Sequence, residues 1–78
     1  MPREIPIEGT TIRLGQLLKL AGIIDSGSDA KALLASETVA VNGERETRRG
    51  RQLRPGDLVR VGDEELQVAS AAPPAQPA

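Results

Sequence analysis

The chain has 78 residues, 10 Lys and Arg against 11 Asp and Glu for a net charge of −1, and no Cys, His, Phe, Tyr or Trp. A chain this short buries only about 60% of its unfolded surface and supports one compact core, which suits a small binding module better than an enzyme with a deep, walled pocket. The missing cysteine and histidine exclude a disulfide framework, a thiolate metal site and a histidine base or ligand, while no apolar run approaches the roughly 18 residues of a membrane span.

Glu4-Ile5-Pro6-Ile7-Glu8 alternates polar and apolar residues, and its proline, which cannot donate to a ladder, predicts a short edge strand. From Thr11 the period changes. Leu14, Leu17, Leu18 and Ala21 fall at helical spacing, predicting an amphipathic helix of about three turns with Thr11 as N-cap and Gly22 as its stop. A second helix begins at Ser26, whose hydroxyl can cap the amide of Asp29, and it turns Ala30, Leu33 and Leu34 inward before ending near Ser36 or Glu37. Thr38 to Val41 is then a strand, Asn42-Gly43 a type I′ hairpin turn, and Glu44 to Thr47 the return strand. Arg54-Pro55-Gly56-Asp57 predicts a type II turn, followed by strands at Leu58 to Val61 and Glu65 to Val68 around a Gly62-Asp63 turn. The expected fold is α+β: two antiparallel helices on a small, mostly antiparallel sheet, in the order β-α-α-β-β-β-β. Residues 1–69 form the single domain of this reading, and the Pro/Ala-rich stretch 70–78 is expected to be a disordered tail.

Charge is unevenly distributed. Residues 1–37 hold four basic and five acidic groups, residues 38–62 six and three, and residues 63–78 none and three. Five arginines, Arg45, Arg48, Arg49, Arg51 and Arg54, fall within ten residues. Because screening limits each charge's reach to about 10 Å at 0.1 M salt, local sign outweighs the overall balance for a polyanionic partner. Glu44 and Glu46 stand where they could also pair with Arg45, Arg48 or Arg49.

Element order and wording together resemble the RNA-binding domain named after small-subunit ribosomal protein S-four. The residues carrying the resemblance are Arg13-Leu14 opening the first helix, Ser26 with Lys31 in the second, Val39-Ala40-Val41-Asn42-Gly43, and Pro55-Gly56-Asp57 before Leu58. Together they span about Ile12 to Val61, and the chain is most similar to small stand-alone bacterial members. It departs from the family pattern at four places. Gly27 stands where members usually carry a second basic residue, Glu37 where they have glycine, and Thr38 and Ala40 where basic residues are usual. The resemblance implies an alpha-L-type fold and the binding of structured RNA, ribosomal or transfer RNA, at a surface including Arg13 and Lys31.

The residues agree with that implication. Arginine holds phosphate bidentately or lies flat on an unstacked base, and the absence of aromatic side chains removes the stacking platform of typical single-strand readers. The candidate site is therefore Arg13, Lys31, Arg45, Arg48, Arg49, Arg51 and Arg54, acting without metal, cofactor or small-molecule substrate. No nucleophile-base set or phosphate-binding loop occurs and the carboxylates fall in turns, so no enzymatic activity is expected. The N-terminus lacks the layout of a signal peptide, so the expectation is a cytoplasmic monomer with no membrane partner. An adaptor of the same fold that binds protein through its sheet edge is the alternative.

Overall fold

The computed structural model describes residues 2–36 and 38–71. In chain order the elements are β1 (Arg3–Ile7), β2 (Ile12–Arg13), α1 (Leu14–Leu20), α2 (Gly27–Ala35), β3 (Val39–Val41), β4 (Glu44–Arg45), β5 (Gln52–Leu53), β6 (Leu58–Val61) and β7 (Glu64–Ser70). Five strands form one sheet in the order β1-β7-β6-β3-β4, and β2 pairs with β5 in a separate antiparallel ribbon. Within the larger sheet only β1 and β7 run parallel, so the architecture is the expected α+β with a mostly antiparallel sheet.

Strand pleating explains which side of the sheet is covered. Successive residues point to opposite faces, and the row Val41, Val59 and Leu66 runs across β3, β6 and β7, with Ile5 opposite Val68 at the β1 end. These side chains are buried with Leu14, Leu17 and Leu18 of α1, Ala30 and Leu34 of α2, and Leu53 of β5 in one core. Every one of these contributors is aliphatic.

Local chemistry fixes the turns. Asn42 and Gly43 have φ of 52° and 87°, the pair of positive values a type I′ hairpin needs, so β3 returns as β4 in a tight register. Asp57 donates its amide to the Arg54 carbonyl at 3.0 Å, closing the expected turn before β6. Ser26 caps α2 by accepting the Asp29 amide at 3.4 Å, and the Asp29 carboxylate reaches back to the amide of Asp25.

Elsewhere the fold departs from expectation. Helix α1 spans seven residues and begins at Leu14, with Arg13 as an N-cap that makes no side-chain hydrogen bond. Thr11 does not cap it, because the chain just before Leu14 is taken into β2. The return strand β4 has two residues instead of four: the Glu46 amide still donates to the Val39 carbonyl at 3.0 Å, and beyond it the amides of Thr47 and Arg48 turn back to the Glu46 carboxylate. Strands β2 and β5 were not expected at all. At the far end β7 runs through Ser70, and Ala71 donates its amide to Ile7 at 2.9 Å, both within the stretch expected as tail. The rest of that stretch, 72–78, lies outside the described residues.

Leu53 anchors the arginine-rich segment to the core, being fully buried on a strand of only two residues. Leu53→Ala is expected to destabilise the protein by about 2 to 5 kcal/mol, read as a lowered urea midpoint with little change in slope. A midpoint within error of the parent would show that the segment is held by other means.

Candidate functional site

Between β4 and β5 the chain runs through Glu46, Thr47, Arg48, Arg49, Gly50 and Arg51. A segment this rich in like charge would extend into solvent unless something held it, and two sets of bonds do. The first is backbone to backbone: Leu14 donates its amide to the Arg51 carbonyl at 2.8 Å, and Gly15 donates to the Arg49 carbonyl at 3.0 Å. The opening amides of a helix have no partner within it, so the loop itself caps α1.

The second is a carboxylate. Glu46 is 6% exposed and is the only buried charged side chain among the described residues. Its Oε2 accepts from the amides of Thr47 and Arg48 at 3.0 and 2.9 Å and from Arg48 Nε at 3.1 Å. Its Oε1 accepts from Arg51 Nη1 at 2.8 Å and Arg48 Nη2 at 3.3 Å. With five donors the buried charge is satisfied rather than stranded. The Arg48 side chain and then its amide hold the carboxyl at about 2, against an ordinary value of 4.5; Arg51 adds to this and burial opposes it.

The loop side chains then divide. Arg48 and Arg51 grip Glu46 yet remain 73% and 33% exposed, so the outer sides of their guanidinium groups face solvent. Arg49 makes no such pair and crosses both helices. A Cβ at Gly15 would lie 2.6 Å from Arg49 Cγ, and one at Gly27 would lie 3.2 Å from Arg49 Nη1. Glycine at both positions lets the arginine stem lie directly on α1 and its head reach the start of α2.

Three clefts meet along this loop. Arg13 at the end of β2, Gln16 and Lys19 from α1, and Ser26 and Gly27 at the start of α2 line the first, about 350 Å³, together with Arg49 and Gly50. Arg49 also lines the second, with Lys31, Leu34, Ala35 and Thr47. Gly50 also lines the third, with Arg48, Arg51 and Gln52. Through these two shared residues the structure brings Arg13, Lys31, Arg48, Arg49 and Arg51 onto one continuous surface. Among the described residues, no acidic side chain lines any of the three clefts.

Two of the sequence candidates stand elsewhere. Arg45 is opposite Ala40 in the ladder, on the sheet face away from the buried Val39 and Val41. Arg54 sits in the turn before β6, its amide held by Asp57 Oδ2 at 2.8 Å, and lines none of these clefts. Lys19 also belongs to the surface: it stands three residues after Gln16 on α1, and both line the first cleft beside Arg13. The sequence offers Glu46 only as one possible partner for Arg45, Arg48 or Arg49, and nothing local to it signals burial. No group of three or more His, Cys, Asp or Glu among the described residues could hold a metal ion, and no helix there is long and apolar enough to cross a membrane.

Two helices and a mostly antiparallel sheet, with the arginine segment docked across the helices, define an α+β domain that carries a basic face on its helix and loop side. The chain belongs to the S4 domain family, whose model matches residues 5–69. It is also 48% identical over 61 residues to a Bacillus subtilis (strain 168) protein described as "Probable ribosome maturation protein RlbA", an alignment covering 78% of this chain and 86% of that one.

The lowered pKa of Glu46 gives a pH signature. An acid held below its ordinary value stabilises the fold fully above about 4.5 and loses that contribution as pH falls toward about 2. The difference in urea midpoint between the parent and Glu46→Gln is therefore expected to be largest near neutral pH and to shrink below about 4.5. A difference independent of pH would mean that the carboxylate charge does not hold the loop.

Proposed function

We propose that the protein binds structured RNA, ribosomal RNA in particular, by equilibrium association without chemistry, and that Arg13, Lys19, Lys31 and Arg49 form the centre of its contact surface. The observation that carries this reading is the continuous cationic surface around Arg49, free of acidic lining among the described residues, on a chain that belongs to the S4 domain family. The name of the Bacillus subtilis relative, which refers to ribosome maturation, supports ribosomal RNA as the class.

Physical chemistry assigns different tasks to the seven arginines and lysines singled out from the sequence. Among the described residues Arg13, Lys31 and Arg49 have no carboxylate partner, so their charge is available to phosphates. Arg48 and Arg51 share Glu46, which offsets part of their charge and fixes their heads in place; they are suited to orienting the backbone at the margin. Arg45 and Arg54 would meet RNA only if it wrapped around the edge of the domain. With no aromatic side chain in the sequence, recognition rests on shape and backbone, as is usual for folded RNA.

Four phosphate contacts correspond to a slope of about −3 to −4 in log affinity against log salt. In fluorescence anisotropy with a labelled structured RNA, Arg13→Ala, Lys31→Ala and Arg49→Ala are each expected to weaken binding to all RNAs alike and to reduce that slope by about one. Reversing Arg48 or Arg51 is a poorer probe, since it would leave the buried Glu46 without its partners. Unchanged affinity in all three alanine variants would remove the contact surface from this face. A stoichiometric protein partner surviving nuclease, with no RNA bound at about 50 mM salt, would establish the adaptor instead.

A further inference from the structure

The chain holds a single asparagine, Asn42, and glycine follows it. That dipeptide forms the turn of the β3–β4 hairpin, and it also carries a latent reaction. With no side chain on Gly43, its backbone nitrogen can reach the carbonyl carbon of the Asn42 side chain and close a five-membered ring. A Cβ at Gly43 would meet nothing within 4 Å, and both residues are exposed, so neither packing nor exclusion of water prevents this.

Hydrogen bonds do. The Asn42 carboxamide is engaged at both ends: Oδ1 accepts from the Leu58 amide at 2.9 Å, and Nδ2 donates to Asp57 Oδ1 at 3.2 Å. The Asn42 amide adds a bond to the Leu58 carbonyl at 2.7 Å. Asp57 is itself fixed, since its Oδ2 accepts from the Arg54 amide at 2.8 Å and its carbonyl accepts from the Val68 amide at 2.9 Å. The turns at Asn42-Gly43 and Arg54 to Asp57 therefore clasp each other, one by a carboxamide and the other by a carboxylate. To present its carbon to the Gly43 nitrogen the carboxamide must rotate, and rotation breaks both of its bonds.

We infer that Asn42 is a self-modification site that Asp57 keeps closed, so that the chain undergoes a spontaneous covalent change only after this clasp opens. The Gly43 nitrogen, losing its proton to solvent base, forms a bond to Asn42 Cγ; the Cγ–Nδ2 bond breaks and ammonia leaves. Water then opens the cyclic imide at either carbonyl-nitrogen bond, giving aspartate or isoaspartate at 42. No co-reactant besides water is needed. Neither product refits the clasp. Aspartate lacks the donor and sets a second carboxylate against Asp57, whereas isoaspartate lengthens the backbone by one carbon in a loop whose two residues fix the strand register. Because β4 leads directly into Glu46, the change also loosens the hairpin from which the arginine segment starts. This inference is independent of RNA binding.

The test follows the peptide containing Asn42-Gly43 by mass spectrometry while the full chain stands in mildly alkaline buffer, folded or in urea. With two hydrogen bonds to release, the folded protein is expected to convert at least about tenfold more slowly than the unfolded one. Asp57→Ala, which removes the Nδ2 partner, is expected to abolish most of that difference while the far-UV spectrum stays that of a folded protein. Should this variant unfold, the parent chain decides alone. Across urea concentrations below its midpoint, conversion is expected to rise in parallel with hydrogen exchange of the Leu58 amide, which reports opening of the same clasp. Equal rates in the folded and unfolded protein, a folded Asp57→Ala converting at the parent rate, or conversion that stays constant while Leu58 exchange rises would overturn the guarding role. No conversion even in urea would overturn the site.

Discussion

The buried carboxylate of Glu46 is the interaction on which the basic surface depends. Five arginines within ten residues repel one another, and a segment of that composition would ordinarily be extended. Glu46 gathers two backbone amides and two guanidinium groups around one charge, which bends the chain just after β4. The bend is what turns the carbonyls of Arg49 and Arg51 toward the opening amides of α1. One acidic side chain thus couples the hairpin to the helix pair, and the exposed arginines inherit fixed positions from it. Breaking one partner of a buried charge costs far more than losing a surface pair, so this arrangement is held tightly compared with an ordinary loop.

The same economy of pairing separates the remaining charges. Arg3 binds Glu64 at 2.8 Å and also the Ala21 carbonyl, tying β1, β7 and the end of α1 together. Arg60 donates to Gly62 and stands opposite Glu65 in the ladder. Cations on the sheet side are thus employed in structure, while those on the helix and loop side face open clefts. A chain of net charge −1 can for this reason carry a surface that a polyanion meets as positive. Screening over about 10 Å keeps the acidic hairpin at Asp63 to Glu65 from cancelling it unless the two lie close together.

Much of the fold was legible where causes are local. The hairpin at Asn42-Gly43, the turn at Arg54 to Asp57 and the Ser26 cap each follow from a few neighbouring residues, and each is present. The start of α1 was not legible, because its capping groups are carbonyls of Arg49 and Arg51, far along the chain, and Thr11 looked like an adequate local substitute. Strands β2 and β5 were hidden for the same reason: each has two residues and exists only through the other. Glu46 misled in a different way. A charged residue on a return strand is ordinarily exposed, and only the converging donors of Arg48 and Arg51 make its burial tolerable. Of the candidate site, the residue types were legible but their grouping was not, so Arg45 and Arg54 were placed with arginines from which the fold separates them.

The departure at Gly27 shows how sequence position and spatial position can be exchanged. Members of the family usually have a basic residue there, and its replacement by glycine suggests a loss of charge from the helix surface. In the structure Arg49 brings a guanidinium to the same place, with Nη1 3.2 Å from where a side chain would begin. A Cβ at 15 would lie 2.6 Å from Arg49 Cγ and force the stem aside, whereas one at 27 would press on the guanidinium end by only a few tenths of an ångström. Gly15 and Arg49 therefore act as one unit, in which a missing side chain on α1 makes space for the stem of a long side chain from the loop, and its head ends beside Gly27. The cation that results is tied to the Glu46 bend as well as to α2, so the charge is placed by the hairpin and the helix pair together, a dependence that a basic residue on α2 alone would not have.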